Sequence, residues 1–255
     1  MRQAIVRKPT PNFGNGLTTS SLGAPNYERA LEQHQAYCEA LQVCGLALTH
    51  LEPDERHPDA TFVEDTAVLF KGCAVVTRPG AASRAGEVET VAMALTQFFP
   101  EIERIQVPGT IDGGDVCEAD NHYFVGISER TNEAGAVQLK NLLASFGYGC
   151  NFVDIRGVAD ILHLKSGLAY LGDNRIAVIE SLAAREEFLE YELIRIIPGE
   201  EYAANCIRIN DSILMAKGSP QFASTLAGLG YKTIQLEMTE FQKMDGGLSC
   251  LSLRF

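Results

Sequence analysis

The amino-acid sequence predicts an α/β protein assembled from five loose repeats around a common axis, and three observations predict it. Short β-rich runs recur along the chain, each leading through a loop with Arg, Ser or Gly into an amphipathic helix and then a further short strand. Apolar residues fall at helical spacing in the helices, and β-branched residues gather in the strands. No stretch reads as a linker or a low-complexity tract, so the 255 residues are expected to form a single domain over 1–255.

The elements follow in order. Residues 4–6 read as a strand, followed by a long helix over about 27–43 and a strand over 47–51. A strand at 73–77 passes Arg78-Pro79-Gly80 and Arg84 into a helix over about 87–99. The run 122–125 passes Arg130-Thr131-Asn132 into a helix over about 134–146. Residues 176–179 precede a weaker helix near 185–191. Residues 213–215 pass Gly218-Ser219-Pro220 into a helix over about 221–229, then a strand over 232–235. Spacing between units is irregular, so a generic α/β sheet with short helices is the alternative. Five repeats around an axis would bring loops from distant sequence positions to one mouth, where a polar site could form.

Composition narrows the function. Hydrophobic residues are 46% and charged residues 21%, as in a globular enzyme. The formal net charge of −12 argues against nucleic acid or an anionic membrane as partner and suits a cationic small molecule. No apolar run approaches the ~20 residues of a membrane helix. The start, Met1-Arg2-Gln3-Ala4-Ile5-Val6-Arg7, lacks the pattern of a signal peptide, and a cytoplasmic location is expected. The seven cysteines include no C-x-x-C pair, which disfavours a zinc or disulfide framework.

The C-terminal run Asp245-Gly246-Gly247-Leu248-Ser249-Cys250 sets a thiol just after two glycines. It is either a buried structural cysteine or a nucleophile, and a nucleophile needs a base from elsewhere. Of five histidines, His163 alone lies inside an apolar, strand-like run, Ile161-Leu162-His163-Leu164, ending at Ser166-Gly167, either as a core histidine satisfied by a backbone carbonyl or as the partner of the thiol. Pro108-Gly109-Thr110-Ile111-Asp112-Gly113-Gly114-Asp115 offers a carboxylate before two glycines, suited to orient an imidazole or simply to make a turn. Thr61-Phe62-Val63-Glu64-Asp65-Thr66-Ala67-Val68 reads as strand-like, which would point Glu64 and Asp65 to opposite faces. A buried acid there requires a cation or hydrogen-bond donors, and a guanidinium supplies both; a solvated edge strand is the competing account.

With these segments in view, the chain resembles the dimethylarginine dimethylaminohydrolases of the guanidine-modifying, or pentein, superfamily. Matching segments run over essentially the whole length, among them Asn15-Gly16-Leu17-Thr18, Phe62-Val63-Glu64-Asp65, Thr77-Arg78-Pro79-Gly80, Glu129-Arg130-Thr131-Asn132, Leu162-His163-Leu164-Lys165, Tyr202-Ala203-Ala204-Asn205-Cys206 and Asp245-Gly246-Gly247-Leu248-Ser249-Cys250. The resemblance implies a five-bladed ββαβ propeller. It implies Cys250 as nucleophile, His163 as acid/base and Asp112 as the triad carboxylate, where some similar bacterial proteins carry Glu. Asp65 and Glu64 are then expected at the guanidinium, Phe62 in the wall, and Asp59 near the amino group. Arg84 and Arg130 are expected on the α-carboxylate, Leu17 on a lid loop and Ser166 near the imidazole. The implied reaction splits methylated arginines into citrulline and a methylamine without metal or organic cofactor. The implied partner is that small molecule, and a homodimer is left open. Hydrolysis of citrulline or unmethylated arginine is the nearest rival, and a non-catalytic ribosome-binding pentein a more distant one.

Overall fold

The computed structural model describes residues 1–159 and 161–255. Its strands form five three-stranded sheets, each made the same way. An antiparallel hairpin comes first, and a crossover then returns the chain to lay a third strand parallel to the hairpin's second. Ala67–Phe70, Cys73–Val76 and Glu101–Arg104 form one such sheet; Val116–Ala119, His122–Ile127 and Gly149–Asp154 form the next. Leu168–Gly172, Arg175–Ile179 and Glu192–Ile196 follow, then Ile207–Ile209, Ser212–Ala216 and Lys232–Leu236. The middle strands, such as Cys73–Val76, are apolar and buried on both faces, as packing between layers requires.

The remaining sheet closes the set with both chain ends. Gln3–Arg7 runs parallel to Ala47–Leu51 and antiparallel to Ser252–Arg254, with Ala4 opposite Arg254. The segment bearing Cys250 is thereby fixed to the N-terminal strand.

Helices fill the crossovers. Tyr27–Val43 starts where the Asn26 side chain accepts the Arg29 N–H, and it buries Ala30, His34, Tyr37, Cys38 and Leu41. Glu133–Ser145 is capped in the same way by Asn132, which accepts from Gly135. The helix expected over about 87–99 is regular only from Val88 to Leu95. The helix expected near 185–191 reduces to the 3-10 turn Glu186–Phe188, because Phe188 is buried while Leu189 is 72% exposed and no apolar stripe continues. Among the described residues, no helix is long and apolar enough to cross a membrane.

One local feature recurs in all five units: a short helical turn leads into the first strand of each hairpin. The turns are Val63–Thr66, Gly113–Asp115, Leu164–Gly167, Glu201–Ala204 and Ser249–Leu251. This corrects two expectations. Residues 63–66 are a turn and not a strand, so alternation does not apply, and Glu64 and Asp65 are both buried. His163 immediately precedes the turn Leu164–Gly167 instead of lying within a strand.

Candidate active site

The five turns pack against one another and bring the residues they carry together. Asp112 is completely buried and held from three sides. Its backbone N–H donates to Thr131 Oγ1 at 3.1 Å, and its Oδ1 accepts from Gly80 N at 2.9 Å. Its Oδ2 receives His163 Nε2 at 3.0 Å. The His163 ring packs on Gly114, where a Cβ would lie 2.7 Å from Nδ1, so glycine is needed for this approach. Ser166 holds the same segment: its N–H donates to the His163 carbonyl at 3.0 Å, and its Oγ accepts from His163 N at 3.4 Å.

Burial alone would favour neutral imidazole, but the carboxylates of Asp65, Asp115 and Asp112 outweigh it and raise His163 to about 9. His163 is therefore a cation at neutral pH. Asp115 had no assigned role in the sequence reading. It is fully buried, accepts from Leu164 N at 2.9 Å and Ser128 Oγ at 2.6 Å, and so orients the turn that follows His163.

Asp65 and Glu64 occupy separate networks. Asp65 accepts from Gly114 N at 2.8 Å and pairs with Arg84 Nη1 at 2.6 Å. Burial works against its charge, yet His163 and Arg84 keep it below the usual carboxylate range. Arg84 is itself buried and also held by Glu87, with Nη2 to Oε2 at 2.8 Å. Glu64 pairs with Lys165 at 2.7 Å and Arg254 at 3.1 Å and accepts from Ser249 Oγ at 2.7 Å.

Cys250 lies within the turn Ser249–Leu251, buried, with its Sγ accepting from Gly247 N at 3.4 Å. All seven cysteines are free thiols. Burial, reinforced by the negative charges of Glu64 and Asp65, pushes the Cys250 thiol up to about 12. Both shifts favour a proton on sulfur and a positive charge on the imidazole.

The outer residues surround this centre. Asp59 is buried and accepts the Leu17 N–H on both carboxylate oxygens at 3.1 Å. Leu17 itself is 41% exposed. Its loop is fastened farther along by Thr18 and Thr19, which donate to Asp245. Phe62 packs with Phe13 and Phe241 and against Gly246, where a Cβ would lie 2.3 Å from its ring. Arg130 is the more accessible of the two arginines, with Nη1 4.0 Å from Asp112 Oδ2.

Ligand atoms of Asp65, Asp112 and His163 lie within 4.8 Å of one another, a spacing a metal ion could use. Arg84 donates to Asp65 and His163 to Asp112, so a divalent ion would have to displace the Arg84 guanidinium and the His163 proton. A cavity of about 460 Å3 touches Glu64, Lys165, Ser249 and Arg254 but also Asp120 and Asn210, and its lining does not include Cys250, His163 or Asp112. Of the candidate residues, Glu64 is the one this cavity reaches.

No family model matches the chain. It is 43% identical over 255 residues to the dimethylarginine dimethylaminohydrolase of Pseudomonas aeruginosa, covering 100% of this chain and 99% of the relative. It is 35% identical to the enzyme of the same name from Streptomyces coelicolor, covering 99% and 96%. The fold superposes with a TM-score of 0.96, at 42% identity and 100% and 99% coverage, on a Cys-to-Ser variant of the Pseudomonas aeruginosa protein complexed with citrulline. The same TM-score, identity and coverage apply to a His-to-Gly variant of a dimethylarginine dimethylaminohydrolase in an adduct with S-methyl-L-thiocitrulline.

Proposed function

Because this chain belongs to the dimethylarginine dimethylaminohydrolase family, we propose that it hydrolyses free asymmetric Nω-methylated arginines to citrulline and dimethylamine or methylamine through a covalent intermediate on Cys250. The observation that carries this reading is His163 bonded to Asp112 beside two buried acids, in the same cluster of turns as Cys250. That is the equipment needed to hold a cation, attack its central carbon and protonate the departing nitrogen.

In this reading the guanidinium sits against Asp65 and Glu64, with Phe62 and Leu17 as apolar wall. Asp59 faces the amino group. Arg130 takes the α-carboxylate as the accessible partner, and Arg84 contributes its charge while its hydrogen bonds stay with Asp65 and Glu87. The Cys250 thiolate adds to the guanidinium carbon. Imidazolium His163 protonates the methylated nitrogen, the C–N bond breaks, and the amine leaves a thiouronium on sulfur. Neutral His163 then takes a proton from water, the hydroxide adds, and C–S cleavage, with the added oxygen giving its remaining proton to solvent or to the departed amine, releases citrulline and the thiolate. These steps require no metal or organic cofactor. The proposal extends to one catalytic domain over 1–255, with the five sheets as blades of a propeller, acting in the cytoplasm on a small molecule and not on nucleic acid or membrane. Homodimerisation is compatible with it.

The test is a substrate panel read as dimethylamine, methylamine or ammonia together with citrulline. Dimethyl- and monomethylarginine are expected to be far better substrates than arginine. The acids do not discriminate substitution, so the preference comes from the apolar wall, at about 1 to 3 kcal/mol per methyl. Faster turnover of arginine would identify a deiminase instead.

A pH experiment tests the charge balance. A neutral haloacetamide should alkylate Cys250 in the ligand-free protein at a rate that rises steadily with pH toward about 12. A cationic haloacetamidine, which places positive charge beside Glu64 and Asp65, offsets their effect and should reach its plateau at lower pH. Identical profiles, followed by mass on the Cys250 peptide, would show that a bound cation does not activate the thiol.

A further inference from the structure

We infer that Asn205 is a positioning residue that fixes the spacing between the segment bearing His163 and the segment bearing Cys250. The inference rests on the roles proposed for those two residues. Four of the five helical turns that open the hairpins bring in groups already discussed: Glu64 and Asp65, Asp112, His163 and Cys250. The fifth, Glu201–Ala204, leads directly into Asn205, which is 7% exposed.

The Asn205 carboxamide holds both segments at once. Its Oδ1 accepts from Ser249 N at 2.8 Å, and its Nδ2 donates to Ser249 Oγ at 3.0 Å. These bonds grip the residue before Cys250 by backbone and side chain together. The other Nδ2 hydrogen reaches the carbonyl of Lys165, two residues beyond His163, at 3.0 Å. A Cβ on Gly247 would lie 2.5 Å from Asn205 Cγ, so the second glycine of the Gly-Gly pair lets the nucleophile loop press against this amide.

The contacts close into a ring. Ser249 Oγ donates to Glu64 Oε2 at 2.7 Å, Glu64 Oε1 takes Lys165 Nζ at 2.7 Å, and the Lys165 carbonyl returns to Asn205. Four of the five units contribute one member each. A ring of this kind, buried at Glu64, Asn205 and Ser249, resists displacement of any single member. Rigidity matters here because attack and protonation both need reacting atoms within about 3 to 3.5 Å, and a displacement of about 1 Å can cost about 100-fold in rate. Asp112 fixes the imidazole ring itself; Asn205 ties that segment to the sulfur.

The experiment compares Asn205→Asp and Asn205→Ala with the wild-type protein. Asp keeps the volume and the acceptor toward Ser249 N, but sets oxygen against the Lys165 carbonyl. Ala removes all three bonds and carries the comparison if Asp does not fold. Both are assayed on dimethylarginine, and on S-methyl-L-thiocitrulline, whose methanethiol leaving group has little need of a proton, with thermal melting followed alongside. We expect kcat on dimethylarginine to fall about 100-fold with KM changed by less than about threefold. The loss on S-methyl-L-thiocitrulline should be smaller by about tenfold or more. Equal losses on both substrates, a change confined to KM, or activity restored in step with folded fraction would overturn the positioning role. A wild-type protein inactive on dimethylarginine would overturn the proposed function, and this inference with it, before any variant is compared.

Discussion

Replacing Cys250 by serine is expected to abolish citrulline formation, lowering kcat by on the order of 10⁴-fold or more while the protein remains folded. The reason lies in what the site supplies. Its one imidazole is already protonated in the ligand-free state, held charged by Asp65, Asp115 and Asp112, and so is not a base waiting for a proton. The nucleophile must ionise largely through the cation it attacks, which offsets Glu64 and Asp65. A thiol raised to about 12 can be brought down by such a charge; a serine hydroxyl, far less acidic, cannot. The substitution is sterically mild, because serine is slightly smaller and the polar contacts of Sγ, with Gly247 N at 3.4 Å and Ser249 Oγ at 3.9 Å, are weak. Melting temperature should therefore move little, and citrulline should still bind. Turnover by a folded serine variant within about tenfold of wild type would remove Cys250 from the mechanism.

The sequence made the site's chemistry readable, though not its wiring. Cys250 after Gly246-Gly247, His163 before Ser166-Gly167 and Asp112 before Gly113-Gly114 stand out because a reactive group beside glycine is a local pattern. The structure brings Asp112 and His163 into contact and shows why the glycines are there: Gly114 and Gly247 each admit a side chain from another unit. The middle strand of each sheet was similarly legible from β-branched runs, whereas its antiparallel neighbour, such as Val116–Ala119 or Leu168–Gly172, was not read. Period-two alternation failed at residues 61–68, because the helical turn Val63–Thr66 interrupts the run and buries both acids. Nothing in the local sequence marks that turn; it is visible only when all five units are compared.

Partner choice was the larger gap. Glu64 finds Lys165 and Arg254, 101 and 190 residues away, and Arg84 finds Asp65 and Glu87. Such pairs are set by the closure of the five units, with Ser252–Arg254 laid beside Gln3–Arg7, and hydrophobic periodicity carries no information about them. Asn205 and Asp115 were both present in segments noted for other reasons. A polar residue preceding an apolar strand in each unit was the available signal, and only the register of the repeats would have revealed it.

The second large effect is expected from His163→Gly. Turnover of dimethylarginine should fall by about 10² to 10⁴-fold, the range for loss of a positioned acid/base. Two functions are lost together. The leaving nitrogen has no proton donor, and the later water has no base. Removing the cation also leaves Asp112 and Asp65 short of a partner, and breaking a buried pair of this kind costs about 3 to 5 kcal/mol, so the melting temperature should drop as well. His163→Asn, which retains a donor toward Asp112, separates that stability loss from the chemistry. The decisive arm uses S-methyl-L-thiocitrulline. Its departing methanethiol needs little proton assistance, so Cys250 should still be modified, and the adduct should persist because no imidazole activates water. Intact mass would register the added group on Cys250, and soluble imidazole should speed its release by entering the space the ring vacated. Near wild-type turnover of dimethylarginine in a folded glycine variant would make His163 a structural cation only. A variant unreactive toward the activated substrate would mean that the imidazolium is needed to form the thiolate itself, beyond protonating what leaves.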